Sequence, residues 1–186
     1  YPRLFVPAGA IGDRQVVRVN TGWSCQFFPG TTTQAGTSLE SAFVMPKPVD
    51  TCRIFFVGAS FVRGWPHTRG LTAAAFLQSA LQRAWPERSV EVINLGTTAL
   101  ASFPVVRMTR EALEYEPDLI VACTGHNEFF GAAGVASRHA GRSPGMIRLT
   151  HAFRRLALAQ ALTNAFSREQ KDETSTEALI EQMAAQ

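Results

Sequence analysis

The stretch Cys52-Arg53-Ile54-Phe55-Phe56-Val57-Gly58-Ala59-Ser60-Phe61-Val62-Arg63-Gly64 decides how the rest of the chain is read. Its first six residues form a compact apolar run with β-branched and aromatic side chains, the composition of a buried strand. A glycine-bounded turn follows. Leu71 to Trp85 then places Ala and Leu at helical spacing and stops at Pro86. Ser89 to Leu95 reads as a second strand, Phe103 to Tyr115 as a second helix ended by Glu116-Pro117, and Asp118 to Thr124 as a third strand. Strand, helix, strand, helix, strand at this spacing predicts an α/β fold with a parallel sheet and right-handed crossovers.

Residues 1–50 are rich in Gly, Pro, Thr and Ser. Only Gln15 to Asn20 alternates, as a short strand or hairpin arm would. The remainder reads as an extended wrap closed by Met45-Pro46-Lys47-Pro48, where two prolines block helix and hold the backbone extended. Beyond the third strand, a Gly/Ser/Ala-rich loop (Gly131 to Gly145) leads to a helix expected over 146–166. Glu169 to Gln186 is polar and weakly helical. This divides the chain into an N-terminal wrap (1–50), an α/β domain (51–168) and a polar tail (169–186). A three-stranded parallel sheet leaves exposed edges, so a further segment or chain is expected to complete it. The start at Tyr1 agrees with a piece of something longer.

At 186 residues, with 46% hydrophobic and 18% charged residues, the chain has the composition of one globular domain. The net charge of +3 is unevenly spread: six arginines and no acid lie between Phe129 and Arg168. That run reads as a solvated face, with Arg148, Arg154 and Arg155 directed away from the domain. No nucleic-acid module is recognisable, so nucleic acid is not an expected partner. Three cysteines are too few for a disulfide scaffold, and Cys52 and Cys123 sit in apolar runs as small core residues would. No run of about 18 apolar residues is present.

In a parallel α/β sheet, ligands sit beyond the carboxyl ends of the strands. The three strand ends here carry Gly58-Ala59-Ser60-Phe61-Val62-Arg63-Gly64, Asn94-Leu95-Gly96-Thr97-Thr98 and Thr124-Gly125-His126-Asn127-Glu128. One loop offers a hydroxyl between glycines, one a glycine able to present its N–H, one a side-chain amide. Alone, Ser60 reads as a helix cap, Gly96 as a turn residue and Asn127 as a loop brace. Together they are the parts for attack on a carbonyl and stabilisation of the oxyanion.

Gly-x-Ser-x-x-x-Gly, Asn-x-Gly and Gly-x-Asn at successive strand ends resemble the first three sequence blocks of the SGNH/GDSL hydrolase superfamily, over about residues 45–131. Gly125-His126-Asn127-Glu128-Phe129-Phe130-Gly131 looks like a branch found in larger, often membrane-anchored proteins with tetratricopeptide repeats. The resemblance implies a three-layer α/β/α, flavodoxin-like fold, incomplete in this chain, and extracytoplasmic membrane anchoring of the full-length protein. It implies an ester hydrolase or acyl-transfer enzyme with an acyl-Ser60 intermediate. The oxyanion hole would be formed by the N–H groups of Ser60 and Gly96 and the Asn127 side chain, each such donor being worth about 2.7–4 kcal/mol in other enzymes. Small-molecule, lipid and carbohydrate esters all fit as substrates. Two departures stand out. Ala59 replaces the acidic residue that usually precedes the serine, and no Asp-x-x-His occurs anywhere in the chain. Without that block the serine lacks its general base, and a catalytically inactive binding or scaffold module is the competing reading.

His67 and His126 are candidate substrate contacts at the cleft edge, while His139 and His151 have no partner pattern. Ligand spacing among His67, His126 and Glu128 matches no standard metal set, so no metal is expected. Glu128 is instead expected to pair with Arg63. A P-loop and a Rossmann fingerprint are both absent from the glycine turn, and no cofactor is expected.

Overall fold

The computed structural model describes residues 2–28 and 36–129. The expected loop over 131–145, helix over 146–166 and polar tail, with His139 and His151, lie outside the described residues. Three parallel strands form the centre: β4 (Thr51–Gly58), β5 (Ser89–Asn94) and β6 (Leu119–Cys123), in the order β5-β4-β6. Cys52 pairs with Val90, Phe56 with Asn94 and Gly58 with Cys123. Between them run α1 (Ser60–Arg63), α2 (Ala73–Ala84) and α3 (Ser102–Ala112). The fold is α/β with a parallel sheet between two packed layers.

Each helix begins and ends for local reasons. Thr72 caps α2 by accepting the Ala75 N–H at 3.1 Å, and the helix stops one residue before Trp85-Pro86 because proline excludes the αR conformation from the residue ahead of it. The expected helix starting at Leu71 is shorter, since Arg69–Leu71 forms a separate 3-10 turn. Residues Leu113–Tyr115, expected within the second helix, likewise tighten into 3-10 geometry.

The N-terminal region holds more regular structure than its composition suggests. β1 (Phe5–Ile11), β2 (Arg14–Val19) and β3 (Ala42–Met45) form an antiparallel sheet, β2 in the middle. The alternating Gln15–Asn20 stretch is that central strand. Expectation missed its neighbours: β1 contains Pro7 and Gly9 and changes register between them, and β3 is only four residues long.

One face of the parallel sheet meets this second sheet and α3. Phe55, Val57, Ile93 and Leu95 share a buried cluster with Leu4, Phe5, Val17, Val19, Trp23 and Phe43 and with Val105, Met108 and Ala112 of α3. Phe5, Phe43 and Phe55 meet pairwise with ring centroids 5.4–5.7 Å apart, the spacing favoured by tilted and edge-on rings. Glu111 on α3 fastens the wrap, accepting the Leu4 N–H at 2.7 Å and the Trp23 indole N–H at 3.2 Å. The opposite face is thinner, with Phe56, Val62 and Ala74 buried between the sheet, α1 and α2. Cys52 and Cys123 are half-buried and Cys25 exposed, so the two strand cysteines line the margins of the sheet, not its sealed interior.

Arg53 explains how an arginine can stand in an apolar strand. It is fully buried, and each arm of its guanidinium has a partner. Nε donates to Glu91 Oε2 at 2.9 Å, Nη1 to the Tyr115 carbonyl at 3.0 Å and Nη2 to the Val44 carbonyl at 2.8 Å. The group also lies 4.6 Å from the Phe43 ring centroid. A single side chain on β4 thus holds β3, β5 and the end of the α3 segment.

The outer edge of β5 is closed from α2. Gln82 Oε1 accepts the Val90 N–H at 3.0 Å and Gln78 Oε1 accepts the Val92 N–H at 3.1 Å. Those are the backbone donors that another strand would need on that side.

Candidate active site

Because β4, β5 and β6 are parallel and in register, their carboxyl ends fall on one edge of the sheet, and the three motif-bearing loops leave from it. Ser60 is the first residue of α1, immediately after the strand turn. The capping position is Ala59 and no side chain caps the helix, so the Ser60 hydroxyl is not used as the cap that an isolated serine would suggest. Its Oγ has no hydrogen-bond partner among the described residues. The Ser60 carbonyl accepts from Gly64 N–H and Trp65 N–H, both at 3.0 Å, and Gly64 ends the helix at φ +80°. The chain therefore doubles back at once, leaving Ser60 partly exposed at the mouth of the loops.

Gly96 lies against this turn. A Cβ there would stand 2.0 Å from the Arg63 backbone nitrogen and 2.5 Å from the Val62 carbonyl carbon. Glycine is required by the close approach of the two backbones. The Gly96 N–H donates to Asn94 Oδ1 at 2.8 Å, and Asn94 Nδ2 donates to the Val62 carbonyl at 2.8 Å. Asn94, buried at the end of β5, thereby clasps α1 to the β5–α3 connection. Sequence reasoning weighed only the glycine of Asn-x-Gly. The spacing itself carries the missed signal, since an Asn side chain readily takes the N–H two residues on.

Asn127 is half-buried, and its Nδ2 donates to the Leu100 carbonyl at 2.8 Å, leaving a second amide proton on the same nitrogen. Next to it, Glu128 takes the Ser102 N–H at 2.7 Å and the Ser102 hydroxyl at 3.2 Å. A carboxylate at the start of α3 meets unsatisfied N–H groups and the positive end of the helix dipole. This corrects the expected Glu128–Arg63 pair. Arg63 instead stacks 5.0 Å from the Trp65 ring centroid and donates through Nη1 to the His67 carbonyl at 3.3 Å. The structure thus brings the Ser60 turn to Gly96 through Asn94, and the Asn127 loop to Leu100 and Ser102. The β5–α3 connection is the common anchor.

His67 and His126 are both exposed, and neither side chain is hydrogen-bonded to Ser60. No group of three His, Cys, Asp or Glu side chains suited to a metal occurs among the described residues, and none of the described helices is long and apolar enough to cross a membrane.

Neither a protein-family model nor a curated protein matches the chain. Among the solved structures it is similar to are three of an esterase, AlinE4. The crystal structure of AlinE4, an SGNH-hydrolase family esterase, aligns with TM-score 0.38 and 20% identity over 53% of this chain and 48% of that one. Two AlinE4 mutants, one with an aspartate and one with a serine changed to alanine, align at TM-scores of 0.38 and 0.36. Both are 20% identical and cover 64% of this chain and 55% of theirs. The chain spans about half the length of these esterases.

Proposed function

We propose that the chain supplies the serine half of an SGNH-type ester hydrolase or acyl-transfer site. The observation that carries this reading is the convergence of Ser60, Gly96 and Asn127 on one sheet edge, with the Ser60 hydroxyl unpartnered among the described residues and two of the three loops fastened to the third. In the proposed reaction Ser60 Oγ attacks an ester carbonyl, the alcohol leaves, and water or a second alcohol releases the acyl group from Ser60. The Asn127 amide and the backbone N–H groups of Ser60 and Gly96 are the donors for the oxyanion. Gly96 N–H serves only if it turns from Asn94 Oδ1 toward the substrate or is shared between them.

Removal of the Ser60 proton requires a base, and the block that holds one in the resembled superfamily is absent from this sequence. The proposal therefore includes a base delivered by a further segment or chain. The Gly125-to-Gly131 form supports placing the domain in a larger membrane-anchored or tetratricopeptide-repeat protein. The engaged Gly96 N–H and the missing base favour one competing reading, a catalytically inactive binding module.

An alkyl fluorophosphonate separates the two, because it reacts with an activated serine and not with an idle one. The full-length protein is expected to take up one equivalent at Ser60, located by peptide mass mapping, and Ser60→Ala to take up none. Folded full-length protein that remains unlabelled would establish the inactive module.

A further inference from the structure

Between Thr51 and Pro86 the chain carries Arg53, Arg63, Arg69 and Arg83 and no acidic residue. Arg53 is buried and paired with Glu91. Arg63 is differently placed. It follows Ser60 by three positions on α1, the separation at which helical side chains are neighbours, with Cβ atoms about 5–6 Å apart. No carboxylate pairs with it among the described residues, and the Glu128 carboxylate accepts from Ser102. Its Nε is buried without an acceptor, while Nη1 uses one proton on the His67 carbonyl. That leaves Nη2 and the second Nη1 proton, the two ends of a fork. The guanidinium lies over the Trp65 ring, its central carbon 5.0 Å from the centroid.

We propose that Arg63 is a carboxylate-recognition subsite beside Ser60, so that the preferred ester carries a carboxylate in the part of the molecule lying over α1. The inference rests on Ser60 being the nucleophile. A guanidinium fork matches a carboxylate in two parallel hydrogen bonds, which lysine does not reproduce. Because ring and carbonyl already hold the group, little side-chain freedom remains to be lost on binding. The permanent charge of Arg63 meets no neutralising group on its own segment, and the exposed Arg69 on the same connection adds a second cation that attracts anions to this side of the site.

The test uses two 4-nitrophenyl esters of equal acyl length, the neutral valerate and the anionic hemiglutarate. Both are given to full-length wild type, Arg63→Gln and Arg63→Lys. The ratio of kcat/KM for the anionic ester to that for the neutral one is expected to fall about tenfold to a hundredfold in Arg63→Gln, and only part-way in Arg63→Lys. Equal losses on both esters would make Arg63 a brace for the 64–67 loop and overturn the proposal. A second measurement keeps it apart from the hydrolase reading: glutarate titrated against the Arg63 Nε–H resonance is expected to give a saturable shift. Saturation without turnover of either ester would retain the subsite and remove the hydrolase. An unmoved resonance with an unchanged ester ratio would remove the subsite.

Discussion

Gly96→Ala tests the geometry on which the site depends. The new methyl would lie 2.0 Å from the Arg63 nitrogen, 2.5 Å from Arg63 Cα and 2.5 Å from the Val62 carbonyl carbon. All are backbone atoms of the turn carrying Ser60, so no side-chain rotation relieves them. Ordinary contact begins near 3.4 Å, and the two segments must therefore part by about 1.4 Å along the tightest line. The same movement stretches the 2.8 Å bond from Asn94 Nδ2 to the Val62 carbonyl past bonding range. Forced overpacking costs about 1–3 kcal/mol and the lost hydrogen bond about 1 kcal/mol. At roughly 2–4 °C per kcal/mol for a chain of this size, thermal melting should fall by roughly 4–16 °C. Misplacing a reacting group by about 1 Å can slow chemistry on the order of a hundredfold, so fluorophosphonate labelling of Ser60 should slow to a similar extent. Gly70→Ala is the control, since a Cβ at Gly70 meets no atom within 4 Å. If Gly96→Ala melted and labelled like wild type, α1 and the β5 end could not be in backbone contact.

Two further outcomes follow from charges away from the site. Arg53→Met leaves the Val44 and Tyr115 carbonyls without donors and Glu91 without its partner, and should lower unfolding free energy by about 3–5 kcal/mol. A fall below about 1 kcal/mol in urea titration would show that the guanidinium is not the tie described. The Asp118 carboxyl is held below the usual carboxylate range, first by the Lys47 ammonium at 2.7 Å and then by the Arg53 N–H. Since its folded pKa is depressed, the stabilisation is complete above the unfolded value near 3.9 and is lost as pH falls through the folded one. Asp118→Asn should thus be less stable than wild type near neutral pH and converge with it in acid. With the Asp118 side chain 45% exposed, screening keeps the gap below about 1 kcal/mol. A gap in melting temperature that stays constant from pH 7 to pH 3 would contradict the assignment.

The parallel core was legible because its elements are long and strongly patterned. Cys52–Val57, Ser89–Leu95 and Asp118–Thr124 each fall within two residues of the observed strand ends. The antiparallel sheet was not, for reasons visible in its strands: Pro7 and Gly9 interrupt β1 at a register change, and β1 has one buried position, Phe5. A strand whose side chains mostly face water leaves little alternation to read. In the site, spacing pointed to Ser60, Gly96 and Asn127, but side-chain destinations were hidden. Nothing in Thr124–Glu128 shows that Glu128 goes to Ser102 and not to Arg63, because that choice depends on where the α3 N-terminus is carried by packing. Likewise, Arg53 in an apolar run looks like a misfit until Glu91 and two carbonyls from distant segments surround it.

The shared core has a consequence for where this domain starts. Composition places a boundary at residue 50, but Phe55, Val57, Ile93 and Leu95 are covered by Leu4, Phe5, Val17 and Phe43 from the other side of it. A polypeptide begun at β4 would present those four side chains to water, together with an uncapped Arg53. Leu4, Phe5, Val17, Val19, Trp23 and Phe43 are therefore part of the interior, encoded ahead of the sheet they cover. Recombination or truncation at the compositional seam would cut through the core.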